Sequence, residues 1–194
     1  MGRKSIDLMA PSPNCWGEAV VADFPAFIAD HANCERKASA MAMGMIVKYP
    51  DRSAIFPGLI QVAREELEHF DQVYALMRSY DIELVRDTPD AYVVALMQLA
   101  RHGRDDRFLD RLLIASVVEC RGAERFGIVS DLVDEPELKA FYAQLRNGEL
   151  KHGHVFVDFA LQYFSVDVVY PRLEEFMHAE ADVMLALPNR SALH

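Results

Sequence analysis

A pattern of acids and histidines that occurs twice constrains this chain more than anything else in it. Glu66-Leu-Glu-His69 sets a glutamate and a histidine three residues apart, and Glu149-Leu-Lys-His152 repeats the arrangement. A lone glutamate stands upstream of each: Glu35, 31 residues before Glu66, and Glu119, 30 residues before Glu149. The two halves are offset by 84, 83 and 83 residues. On an α-helix residues i and i+3 share a face, so each Glu-x-x-His aims two side chains at one place. The pattern therefore asks for helices, and for two matching pairs of them.

The remaining sequence supplies those helices. Apolar residues recur every three or four positions, and no segment sustains the alternation of a half-buried strand. The nine glycines and nine prolines sit mostly at segment edges. Six helices are expected. The first covers about Asp23 to Tyr49 and the second about Gly58 to Tyr80. A short one follows Thr88-Pro89-Asp90 and ends near Gly103, a capping residue and a proline marking its start. The fourth covers about Asp105 to Asp134, the fifth about Pro136 to Tyr163, and the last begins near Pro171 and ends before Pro188. Four are long, about 33 to 45 Å at 1.5 Å per residue. This reads as an all-α fold: a four-helix bundle in which about Ile82 to Arg104 forms the one long crossover, with two additional helices. No linker or low-complexity tract interrupts the chain, so residues 1–194 are expected to form one domain.

The helical period puts every member of the repeated pattern on an apolar stripe. Glu35 lies between Ile28 and Ala42, and Glu66 with His69 between Val62 and Val73. Glu119 lies between Leu112 and Phe126, and Glu149 with His152 between Leu145 and Phe156. A buried carboxylate without a partner costs several kcal/mol or neutralises itself, and four on inward seams repel one another. Two divalent cations compensate for that charge. Small residues, Ala38 and Gly122, stand one turn beyond the lone glutamates and leave room for metal. Glu35, Glu66, His69, Glu119, Glu149 and His152 are therefore the expected metal ligands. Carboxylates with one imidazole per metal suit Fe or Mn better than Zn or Cu(I).

Other residues of the same chemistry fall elsewhere. Glu175-Phe-Met-His178 has the same spacing, but with Asp182 it lies on the polar side of its helix and reads as a solvated face. Glu65, Glu68 and Glu124 are off the central stripes. His31, one turn before Glu35, has no counterpart in the second half, where Ala115 stands; it is a donor to the site, part of an access route, or a satisfied core histidine. Cys34 and Cys120 are one position off the seams, and Met41, Met43 and Met45 read as core filling.

Composition bounds the setting. No apolar run approaches the roughly 18 residues of a membrane helix. The first ten residues carry Arg3 and Lys4 without an apolar core, so no secretory signal is expected. Three cysteines suggest free thiols in a reducing cytoplasm.

The stretches Asp30-His-Ala-Asn-Cys-Glu35-Arg-Lys-Ala38, Arg64-Glu-Glu66-Leu-Glu-His69-Phe70, Glu119-Cys-Arg-Gly-Ala-Glu-Arg-Phe126 and Glu149-Leu-Lys-His152 resemble those of MiaE-type tRNA hydroxylases, from about Trp16 to Leu187. The resemblance implies a ferritin-like fold and a non-haem di-iron centre whose ligands are the six residues above. It implies O2-dependent hydroxylation of the isopentenyl group of 2-methylthio-isopentenyladenosine, next to the anticodon of tRNA. Electrons then come from an external reductase, since the chain has no rubredoxin-type cysteine knuckle and no flavin or NAD fingerprint. Met45, Phe126, Phe156 and Phe159 either wall a dry pocket for the prenyl chain or pack the core. The net charge of −10, from 20 basic and 30 acidic residues, sits uneasily with an RNA partner unless basic residues cluster locally. Candidate clusters are Arg36 with Lys37, Lys48 with Arg52, and Arg101 to Arg111. The same ligand set also serves ferritin-like iron oxidation or storage and manganese catalase, and a helical adaptor with a vestigial site is the non-enzymatic alternative. A monomer or dimer is expected of the hydroxylase.

Overall fold

The structure is a computed structural model that describes residues 6–194; Arg3 and Lys4 lie outside the described residues. Among the described residues there are seven α-helices and no strand: α1 (Asn14–Ala22), α2 (Phe24–Lys48), α3 (Phe56–Ser79), α4 (Ala91–Gln98), α5 (Arg104–Leu132), α6 (Pro136–Leu161) and α7 (Val166–Ala186). No helix is long and apolar enough to cross a membrane.

Six helices were expected, and α1 is the addition. Its 9 residues bury only Trp16, Gly17 and Val20, too few positions to display a period. Tertiary contacts hold it instead: the Trp16 indole donates to the Ala192 carbonyl at 3.0 Å and meets Phe27 edge-on. The second difference is the start of α7, five residues before Pro171. A proline usually opens a helix because its missing N–H is not needed there; here Ser165 takes the cap position, its carbonyl accepting from Val168 and Val169, and Pro171 sits inside.

The described residues gather into two compact units. One is Cys15–Thr88 with Asn189–Leu193; the other is the chain up to Asn14, Pro89–Pro188 and His194. In the first, α2 and α3 run antiparallel, as the pairing of Ser39 with Ala63 and of Glu35 with His69 requires. Asp23 caps α2 by accepting from Ala26 N–H. At the end of α3 Asp81 takes a positive φ of 57°, and Ile82 N–H reaches back to the Met77 carbonyl, closing the helix. Tyr80, the expected end of this helix, follows its last turn and is exposed.

In the second unit α5 and α6 are antiparallel, tied by Ser116 Oγ to the Gly153 carbonyl and Ser130 Oγ to the Lys139 carbonyl. From Phe108 to Val117 every residue of α5 except Arg111 is buried. One apolar stripe understates this helix, because α4, α6 and α7 all pack on it.

Candidate metal centre

In the first unit Glu35 comes from α2, and Glu66 and His69 from α3. The period-3.6 geometry turns the two carboxylates away from water, at 3% and 1% exposed, while the His69 side chain stays half-buried at 14%. His69 Nδ1 lies 3.6 Å from Glu35 Oε2 and 3.6 Å from Glu66 Oε2, and the three side chains offer ligand atoms within 4.8 Å of one another. His31 settles into one of its three readings. It is fully buried, with Nε2 2.7 Å from Glu35 Oε1. It therefore orients Glu35 through one oxygen while the other faces His69.

In the second unit Glu119 comes from α5, and Glu149 and His152 from α6. All three are buried, and His152 Nδ1 is 3.4 Å from Glu149 Oε2. Glu119 offers an oxygen within 4.8 Å of the ligand atoms of both. Close approach of the two helices sets this spacing. A Cβ at Gly153 would sit 2.6 Å from Cys120 Sγ and 3.2 Å from the Ser116 carbonyl oxygen, so only glycine fits. Gly122, one turn beyond Glu119, is buried, yet a Cβ there would meet nothing within 4 Å. Space is thus left beside the carboxylates and closed elsewhere.

Each unit presents two buried carboxylates and one imidazole. The negative charge calls for a cation, and the oxygen-rich donor set fits Fe or Mn. The cysteines do not compete. Burial, and then the charges of Glu180 and Glu149, push the Cys120 thiol up to about 12, so it stays protonated. Cys34 Sγ is turned toward Asp30 Oδ2 at 3.8 Å, and Cys15 is exposed.

The competing acids fall where expected, with one omission. Glu68, Glu175, His178 and Asp182 are exposed. Glu124 accepts from the Ser12 amide and hydroxyl, both at 2.7 Å, and from Arg121 at 2.9 Å. The sequence reading missed Glu180, which is fully buried on α7. It accepts from Arg121 at 2.7 and 2.9 Å and from the Tyr92 hydroxyl at 3.0 Å. Its signal was present: Glu180 continues the stripe of Leu173, Phe176 and Met184.

Two further expectations are decided by partners. Met45, Phe126, Phe156 and Phe159 are all buried, with Phe126 against Tyr142 and Phe156 against Phe159; they pack the core. Of the basic clusters, Lys37 is held by Asp87 at 3.0 Å, and Arg101 by Asp106 and Asp110 at 2.8 Å each. Arg52 lies 3.6 Å from Asp51.

Comparison with known proteins adds three findings. The family model described as tRNA-(MS[2]IO[6]A)-hydroxylase (MiaE) matches residues 3–194. Two curated relatives carry the name tRNA 2-(methylsulfanyl)-N(6)-isopentenyladenosine(37) hydroxylase. That of Pseudomonas putida is 33% identical over 156 residues, covering 80% of this chain and 76% of the relative. That of Salmonella typhimurium is 30% identical over 132 residues, covering 68% of this chain and 48% of the relative. A solved structure, "Protein 43 with aldehyde deformylating oxygenase activity from Synechococcus", superimposes with a TM-score of 0.91 at 30% identity, covering 96% of this chain and 94% of that one.

Proposed function

This chain belongs to the MiaE family of tRNA hydroxylases and has an all-α, ferritin-like fold, and from that premise we propose that it is an O2-dependent, non-haem di-iron monooxygenase. Its substrate is tRNA, and the target is the isopentenyl group of 2-methylthio-isopentenyladenosine beside the anticodon. The observation that carries the reading is the pair of Glu–Glu–His triads, one in each unit, whose four carboxylates are all buried. One iron is assigned to Glu35, Glu66 and His69, and the other to Glu119, Glu149 and His152, within a single ferritin-like domain.

Iron held there supplies the O2 reduction that hydroxylation of a C–H bond needs. In balance, one oxygen atom enters the C–H bond and the other leaves as water, consuming two electrons and two protons. The chain's own residues prepare the ground. Burial of the four carboxylates keeps bulk water off them, which strengthens every charge interaction there. His31 fixes the orientation of Glu35, and Ser116 with Gly153 holds α5 at the distance from α6 that Glu119 needs. An external reductase supplies the electrons, in the cytoplasm where tRNA resides. The active form is a monomer or dimer.

The test is a turnover assay read by mass. Protein loaded with Fe(II), at two irons per chain, is mixed with O2, a reductant and tRNA bearing the modified adenosine. The digested nucleoside is expected to gain one oxygen atom, and Glu66→Ala is expected to abolish the gain. Full iron loading without any gain would overturn the hydroxylase reading in favour of iron oxidation or storage. Rapid oxygen release from peroxide by the manganese-loaded protein would favour a catalase.

A further inference from the structure

A single exposed apolar side chain is ordinary, but a line of them marks an interface. Among the described helices α3 alone sets three large ones on one line. Ile60, Leu67 and Tyr74 are all exposed, Leu67 by 56%, and stand seven residues apart. Seven residues make two turns, the repeat with which one helix packs along another. Arg64 and Asp71 share the line, for at 100° per residue all five side chains fall within about 80° of one another. A different side of the helix buries Leu59, Val62, Glu66, Val73 and Met77. The bond from Ser39 Oγ to the Ala63 carbonyl sets the register of antiparallel α2, so Met43, one turn on, lies level with Ile60. Met43 and Val47 are exposed and widen the apolar surface at that end.

The two charges on the line have no ion pair among the described residues, although Glu68 stands one turn from Arg64. Their positions answer each other instead. A two-fold axis between Leu67 and Glu68 is three and a half residues from each, about 5 Å along the helix at 1.5 Å per residue. A second α3 running antiparallel about that axis brings its Asp71 level with Arg64 and its Arg64 level with Asp71. Leu67 then meets its own copy near the axis, and Tyr74 of the second copy lies level with Ile60 and Met43. Arg78, at the end of the line, comes level with Pro57 of the second copy rather than with a cation. A parallel pairing would instead set Arg64 on Arg64 and Asp71 on Asp71. Such a surface is complementary to itself, as a two-fold interface requires.

We propose that this outer face of α3 binds a second copy of the chain, antiparallel, closing on Leu67 and on two reciprocal pairs of Arg64 with Asp71. Exposed ion pairs add little affinity each, so the apolar line supplies the attachment and the charges fix its direction. The protein is then a dimer in which the helix that carries Glu66 and His69 is braced from outside.

The experiment is sedimentation velocity on the 194-residue chain at micromolar concentrations. The wild type is expected to run at twice the 22.0 kDa of one chain. Leu67→Glu, which sets two carboxylates together at the axis, is expected to run as a monomer. Arg64→Asp and Asp71→Arg each place like charges opposite one another twice and are expected to weaken the dimer about tenfold or more. The double swap Arg64→Asp with Asp71→Arg is expected to restore it, which also shows that the single variants fail by charge and not by misfolding. A wild type that stays monomeric overturns the proposal. So does a dimer indifferent to Leu67→Glu and the single reversals, or one that the double swap fails to restore. The experiment reads mass and not turnover, so its failure leaves the hydroxylase reading standing.

Discussion

His31 touches Glu35 at 2.7 Å from full burial, and groups that orient a ligand typically govern 10- to 100-fold of metal affinity. His31→Ala is expected to weaken Fe(II) or Mn(II) binding at the first triad by about that factor in a metal titration, with the second triad unaffected. Gly153 plays a steric part instead. Gly153→Ala forces a methyl group onto Cys120 Sγ and the Ser116 carbonyl and is expected to cost about 1–3 kcal/mol in urea unfolding. Combining it with Cys120→Ala should restore part of that stability, since the two side chains compete for one space. At this scale the grouping of the candidate ligands was legible because helical period alone decides which side of a helix a residue occupies. The role of His31 was not, because the same position suits a donor, a channel or a core residue until its partner is seen.

The helices are locked by pairs that join residues far apart in sequence. Arg121 on α5 meets Glu180 on α7, both fully buried, with Tyr92 as a third member. Arg121→Met strands the Glu180 carboxylate and is expected to destabilise the protein by about 3–5 kcal/mol, whereas Arg121→Met with Glu180→Met should cost far less. Chemical denaturation of the single and double variants checks this. Asp110, also fully buried, binds Arg101 and Arg172. Burial by itself would raise its pKa, but hydrogen bonds from Arg172 and Arg101 bring it down from 3.8 to about 2. A lowered pKa gives stability that is present above pH about 4 and lost as pH falls toward 2. Asp110→Asn should remove that part of the acid sensitivity, measured as melting temperature against pH. Long, periodic α2, α3, α5 and α6 were readable to within two residues at each end because Pro50, Pro136 and repeated apolar positions mark them. Short α1 and the early start of α7 were not, since a few tertiary contacts and one cap outweigh a weak local pattern.

For the molecule as a whole, four buried glutamates at the triads are a cost until cations arrive. The iron-loaded protein is expected to melt above the metal-free form, by about 2.7 kcal/mol of added stability at a metal concentration 100 times its dissociation constant, and a chelator should reverse the gain in a thermal scan. Metal-free Glu66→Gln is expected to melt higher than metal-free wild type, because removing one charge relieves the repulsion. The sequence by itself determined the all-α class and the six candidate ligands, since a periodic backbone converts spacing directly into facing. Only the tertiary structure decided which charges serve which purpose. It holds Arg101 to Asp110 and Arg121 to Glu180, and keeps Gly122 open while Gly153 is closed. Charge pairing and close packing depend on side chains that meet in space at separations of tens of residues, which no local pattern encodes.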